Sequence, residues 1–143
     1  VKRILIMGLP GSGKTTLAES LRRRLWEEGR TVSWFNADEV RKENNDWDFS
    51  ETGRIRQSIR MRELADSSTN DYVICDFVAP LVEMRDNFLA DYTVWVDTIE
   101  SGRYSNTNAM FIKPITYDVR VTEQDSEKWA NIILQDIILG NKV

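Results

Sequence analysis

The run Gly8-Leu9-Pro10-Gly11-Ser12-Gly13-Lys14-Thr15-Thr16 is the first part of this chain whose residue types and spacing do chemistry. It fits G-x-x-x-x-G-K-[ST] at every fixed position. Glycines let the backbone curl until successive N–H groups face one concavity, and a helix that follows turns its positive end to the same place. Lys14 adds a mobile charge for the β- and γ-phosphates, and Thr15 offers a hydroxyl to Mg²⁺. A bare glycine turn joining strand to helix would not explain Lys14-Thr15, so a nucleotide site with ATP and Mg²⁺ is expected.

Two carboxylates stand where such a loop needs them. Asp38, in Phe35-Asn36-Ala37-Asp38-Glu39-Val40-Arg41, lies at the carboxyl end of a predicted strand. There it orients a substrate hydroxyl, accepts its proton, or holds water on Mg²⁺. The plainer role, a helix cap, is open to Asn36 instead. Asp76 ends a buried apolar run, as a metal-linked carboxylate or as a structural hydrogen-bonding group. Arg41, Arg54, Arg56, Arg60 and Arg62 crowd one region. Arginine grips phosphate and sulfate oxygens bidentately; some of the five are expected to bind an anion and others only to solvate a helix face.

Composition removes other chemistries. Among 143 residues there is no histidine and one cysteine, Cys75. This excludes histidine acid–base and zinc chemistry, serine–histidine triads and an intrachain disulfide. The net charge of −4 argues against a broad grip on nucleic acid. No segment is long and apolar enough to span a bilayer. The first apolar run, Ile4 to Met7, is too short for a secretory leader. A cytoplasmic protein with a small-molecule substrate is expected.

The elements that must position these residues follow from apolar runs and breakers. Strands are expected over 3–7, 31–35, 72–77, 92–96 and 117–121, and helices over 14–28, 37–42, 50–65, 81–88 and 122–139. Strands alternating with helices predict an α/β fold of three layers, a five-stranded parallel sheet with helices on both faces. Ligands then sit beyond the carboxyl ends of the strands. Residues 1–143 read as one domain. The interval 98–115 has weak periodicity and many Asn, Ser and Thr residues, and its length marks it as functional. The five tryptophans, Trp26, Trp34, Trp47, Trp95 and Trp129, are expected in the core or an interface, Trp47 also bordering the substrate.

GLPGSGKTTLA, FNADEVR, DFSETGRIRQSIRMRELA and VICDFVAP, in this order and spacing, resemble the adenylyl-sulfate kinases of the P-loop class. The resemblance covers roughly 3–85. It implies transfer of the ATP γ-phosphate to the 3′-hydroxyl of adenosine 5′-phosphosulfate (APS), giving 3′-phosphoadenosine 5′-phosphosulfate. It implies Lys14 and Asp38 as catalytic residues, and Thr15, Asp38 and Asp76 on the metal side. Arg41, Arg54, Gln57, Val78 and Ala79 then contact the substrate, together with Phe49, whose other reading is core packing. Phe111 is expected to sandwich the adenine with Phe49. The family often forms dimers. The family's lid, which carries R-D-P-K-G-L-Y-K-K-A, is clearly shorter here, and Arg103 is the candidate for its missing positive charge. Two alternatives remain at this stage: another small-molecule or polynucleotide kinase on the same scaffold, and a nucleotide-binding module without catalysis.

Overall fold

The computed structural model describes residues 1–102 and 104–140. Along these the chain runs β1 (Lys2–Gly8), α1 (Lys14–Glu27), β2 (Val32–Asn36), α2 (Ala37–Asn44), α3 (Glu51–Ser67), β3 (Tyr72–Asp76), α4 (Val82–Phe88), β4 (Tyr92–Val96), α5 (Ser105–Met110), β5 (Val119–Val121) and α6 (Ser126–Ile138). The strands form one sheet of order β2-β3-β1-β4-β5, every pair parallel. The expected α/β architecture, a parallel sheet covered on both faces, is what the chain adopts.

Apolar residues on both faces of each strand explain the layering. Ile4 and Ile6 of β1 face one way, into a core with Leu17, Leu21 and Leu25 of α1 and Ala130, Ile133 and Ile137 of α6. Leu5 and Met7 face the other way, against Val40, Met61, Ala65 and Phe88. Serine and aspartate caps start two of the helices: Ser50 accepts from Gly53 N at 3.2 Å and Asp125 from Lys128 N at 3.3 Å.

Three expectations shift. The fifth strand is only Val119–Val121, because Tyr117 packs beside Trp95 instead, with ring centroids 5.5 Å apart. The last helix begins at its Asp125 cap rather than at Thr122. The 98–115 interval contains α5, which its polar composition conceals. Tertiary bonds hold it: Asn108 exchanges two hydrogen bonds with Gly102, at 2.7 and 2.8 Å, and Ile112 N donates to Pro80 O at 2.9 Å.

The strand order reverses at β1. The chain leaves β1 toward β2 on one side and later crosses to β4 on the other, which opens a crevice beyond the carboxyl ends of β1 and β3. Both the glycine loop and Asp76 lie there.

Candidate active site

The loop of residues 8–16 is shaped by its glycines and pinned from outside. Gly8 has φ +155°, and a Cβ there would come 2.4 Å from Val96 O. Gly13 caps α1 in the left-handed region at φ +103°, with no side chain bonded to the first turn. The first N–H groups of α1 are thus left for an anion. Thr98 Oγ1 donates to Ser12 O at 2.6 Å, and Gln124 Nε2 to Gly11 O at 3.2 Å and to Ser12 O at 3.3 Å. Lys14 is 9% exposed and its Nζ donates to Leu9 O at 3.0 Å. Burial lowers its pKa to about 8, against the pull of Asp76 and Asp38.

A cleft of about 660 Å³ opens on the β2 side of this loop. Its walls bring together most of the expected site: Pro10, Gly11, Gly13 to Thr16, Asp38, Arg41, Phe49, Arg54, Gln57, Asp76, Val78 and Ala79. Trp47 also borders it, as expected. Ala79 sits at φ +48°, held by Arg85, whose Nε donates to its carbonyl at 2.8 Å.

Arg41 and Arg54 are the electrostatic centre of this cleft. They are 2% and 7% exposed. Their guanidinium carbons lie 4.5 and 5.0 Å from the Phe49 ring centroid. Arg41 Nη1 donates to the carbonyls of Asp46 and Asp48, both at 3.0 Å, which holds the loop before α3. Gly53 permits that loop, since a Cβ there would meet Asp48 O at 2.1 Å. Arg54 Nη2 donates to Thr107 Oγ1 at 2.6 Å. Arg41 Nη2 and Arg54 Nε, both buried, have no partner among the described residues. Burial lowers the pKa of Arg54 to about 10, with repulsion from Arg41 adding to it. Two buried cations with unspent donors beside one aromatic ring form a strong anion trap.

Arg56 and Arg60 are bound into ion pairs rather than left to solvate a helix face. Arg56 is spent on Asp46 and Asp48, and Arg60 on Asp46 at 2.7 Å. Their hydrogen bonds hold the Asp46 carboxyl well below the usual carboxylate range. Gln57 lines the cleft, but its amide nitrogen is committed to Ala37 O at 2.9 Å, so it braces the start of α2.

The aromatic pair differs from expectation. Phe111 packs against the core beneath the sheet and under Arg85, 5.2 Å from its guanidinium carbon. Tyr104 takes the place opposite Phe49, with centroids 6.2 Å apart and planes 11° from parallel. The physical reason is α5: starting the helix at Ser105 delivers its N-cap, Tyr104, to the cleft, whereas Phe111 leaves its far end toward Pro80. Arg103 lies outside the described residues.

The metal side is built on Asp76, which is 1% exposed. Trp34 Nε1 donates to Oδ2 at 2.6 Å, and Asn36 Nδ2 to Oδ1 at 2.9 Å. Thr15 Oγ1 donates to Oδ1 at 3.4 Å while accepting from Asn36 Nδ2 at 2.9 Å. Burial raises the pKa of Asp76, opposed first by the Trp34 bond and then by the charge of Lys14. A hydroxyl has one donor and two lone pairs, so Thr15 keeps one lone pair uncommitted. That oxygen and the adjacent carboxylate fit Mg²⁺, a hard cation that takes few protein ligands and keeps phosphate and water for the rest. Among the described residues no cluster of three acidic, His or Cys side chains stands ready for a metal. Asp38 shares the cleft wall, but it is Asp76 that bonds Thr15.

A second, smaller cleft of about 220 Å³ lies on the other side of the loop, walled by Thr16, Leu17, Gln124, Ser126 and Trp129 among others. Two buried groups there, Ser12 Oγ and Trp129 Nε1, have no partner among the described residues. Sequence reading missed Tyr104, Thr107, Gln124 and Trp129 because fold alone brings them to the loop. Trp34 and Asn36 were visible only by strand register, two residues apart at the end of β2.

A glycine loop closing β1 of a 2-3-1-4-5 parallel sheet, with Lys14 and Thr15 opening α1, defines a P-loop kinase fold. The model of the adenylylsulphate kinase family matches residues 2–99, and the chain belongs to that family. It is 30% identical over 128 residues to the adenylyl-sulfate kinase of Bacillus pumilus, covering 87% of this chain and 58% of that enzyme. It is 34% identical over 85 residues to the bifunctional enzyme CysN/CysC of Rhodopirellula baltica, 13% of whose length it spans. The fold is similar to that of the Mycobacterium tuberculosis APS kinase CysC in complex with AMPPNP and APS. The TM-score is 0.79 at 22% identity, over 95% of this chain and 96% of that one. No helix among the described residues is long and apolar enough to cross a membrane.

Proposed function

We propose that this domain transfers the γ-phosphoryl group of ATP to the ribose 3′-hydroxyl of APS. The observation that carries the reading is the pair Arg41 and Arg54, buried with unpartnered donors and both within about 5 Å of the Phe49 ring centre. Such a site asks for an anion joined to a flat ring. It opens into the same cleft as the phosphate loop.

The parts then divide as follows. The smaller cleft takes the ATP base, with Trp129 Nε1 and Ser12 Oγ as its unspent polar groups. The loop amides, the N-terminus of α1 and Lys14 hold the β- and γ-phosphates. Thr15 and Asp76 would hold Mg²⁺, which would supply positive charge to offset that of the phosphates. Arg41 and Arg54 grip the phosphosulfate, Phe49 and Tyr104 stack the acceptor adenine, and the Val78 and Ala79 backbone borders it. The 3′-oxygen bonds to the γ-phosphorus, and the bond to the β–γ bridging oxygen breaks with its electrons leaving on ADP. The hydroxyl proton passes to Asp38. Most of the rate comes from position and fixed charge. The 98–115 segment closes over the site as a short lid. The reaction is assigned to the cytoplasm, with a homodimer as the assembly.

The test is ADP release with and without APS in the wild type and in Asp38→Asn. APS-dependent turnover lost in the variant, with nucleotide affinity kept, supports the reading. ATP binding with no turnover on APS overturns it in favour of a binding module.

A further inference from the structure

We infer that Asn36 is a positioning residue: it aims Thr15 and Asp76 at the Mg²⁺ of the bound nucleotide and ties them to the helix that carries Asp38 and Arg41. The inference rests on the nucleotide part of the function proposed above and not on the identity of the acceptor.

Asn36 ends β2 in register with Asp76 at the end of β3. Both ends of its amide are engaged. Oδ1 accepts from Glu39 N at 3.1 Å, the cap of α2. That bond decides which end of the amide faces which way. Nδ2 therefore points at the crevice, where it donates to Thr15 Oγ1 and to Asp76 Oδ1, both at 2.9 Å.

Each bond has a consequence. An amide N–H cannot accept, so Asn36 takes one Thr15 lone pair while the hydroxyl donates to Asp76 at 3.4 Å, and the second lone pair is left for the cation. Asp76 is held at both oxygens, by Asn36 on Oδ1 and by the Trp34 indole at 2.6 Å on Oδ2. Its plane cannot turn. The same amide caps the helix whose first turn holds Asp38 and whose next turn holds Arg41. One side chain thus sets the spacing between the cation side and the acceptor side.

Capping alone does not require asparagine. Serine or threonine caps as well through a hydroxyl, but neither is long enough to carry a donor to Thr15 and Asp76. The two N–H bonds are surplus to the cap, and a substitution separates the two duties.

The experiment is calorimetric titration of AMPPNP into the wild type and Asn36→Ser, in Mg²⁺ and in EDTA. The readout is the ratio of the two dissociation constants, with no acceptor present. Partners that orient metal ligands are worth about 10- to 100-fold in metal affinity. The Mg²⁺-dependent gain is therefore expected to fall by about tenfold in Asn36→Ser, with affinity in EDTA within about twofold of wild type. A gain that is unchanged overturns the inference. So does a loss of the same factor with and without Mg²⁺, which marks a purely structural residue. Asn36→Thr, which also caps and suits a strand end, provides the same test if the serine variant does not fold. A failure of the APS reading leaves this ratio untouched.

Discussion

Arg54 donates a 2.6 Å hydrogen bond to the hydroxyl of Thr107, and through that bond α5 reaches the wall of the cleft that holds Arg41 and Arg54. Thr107 is buried and belongs to α5. Its hydroxyl orients the guanidinium and leaves Arg54 Nε facing unsatisfied. Thr107→Val keeps the shape and removes the acceptor. A hydrogen bond to a charged group is worth about 1.5–3 kcal/mol, so the KM for APS is expected to rise roughly tenfold or more. ATP affinity, set across the loop, should hold. Steady-state kinetics with each substrate varied in turn checks this split; an equal loss for both substrates contradicts it.

Phe111 and Tyr104 are separable by the same approach. Tyr104→Ala removes the ring opposite Phe49, and an aromatic pair adds about 0.5–1.5 kcal/mol beyond its area. It should weaken APS binding by roughly threefold to tenfold with little change in melting temperature. Phe111→Ala opens the core under Arg85, so the expected loss is in thermal stability. Thermal melts and APS titrations on both variants decide the matter, and the reverse pattern would return Phe111 to the cleft.

Arg41 has two duties, which makes its substitution informative. It holds the carbonyls of Asp46 and Asp48 as well as facing the cleft. Arg41→Ala removes the donor that ties those half-buried carbonyls together, so this variant should lose both stability and APS affinity. Arg54→Ala should lose APS affinity with a smaller change in stability. Urea unfolding of the two variants beside their APS dissociation constants tests the contrast.

Lys14 gives a pH dependence of definite sign. Burial lowers it to about 8, from the usual 10.5. Between these values the unfolded chain holds more protons than the folded one, so this residue's contribution to stability rises with pH across that window. Polyphosphate favours the charged amine and restores the proton. Nucleotide affinity should therefore be level below about pH 8 and fall above it, by up to about tenfold per pH unit. Calorimetry in buffers of different ionisation enthalpy should register proton uptake on binding, and Lys14→Met should abolish it.

How far the sequence reached depends on whether a feature is local. Apolar runs such as Ile4–Met7 and Val73–Cys75 announce buried parallel strands, and Lys14-Thr15 after a strand announces the phosphate loop. Ser50 and Asp125 announce helix starts. The helix Ser105–Met110 was not legible, because Ser-Asn-Thr-Asn has little intrinsic preference for helix and is held by Arg54, Gly102 and Pro80. That one element moved the second aromatic from Phe111 to Tyr104. The donors left open on Arg41 and Arg54 were equally hidden, since a charge run reads the same whether its members are spent, like Arg56 and Arg60, or waiting for an anion.

The most direct test of the central claim is transfer of labelled γ-phosphate from ATP into APS, with shikimate as a control acceptor and the product identified by mass and by the position of the new phosphate. The account predicts label in a product one phosphate heavier than APS, at the 3′-oxygen, and none in shikimate. Label in shikimate, label at another position, or hydrolysis of ATP with no labelled acceptor would contradict it.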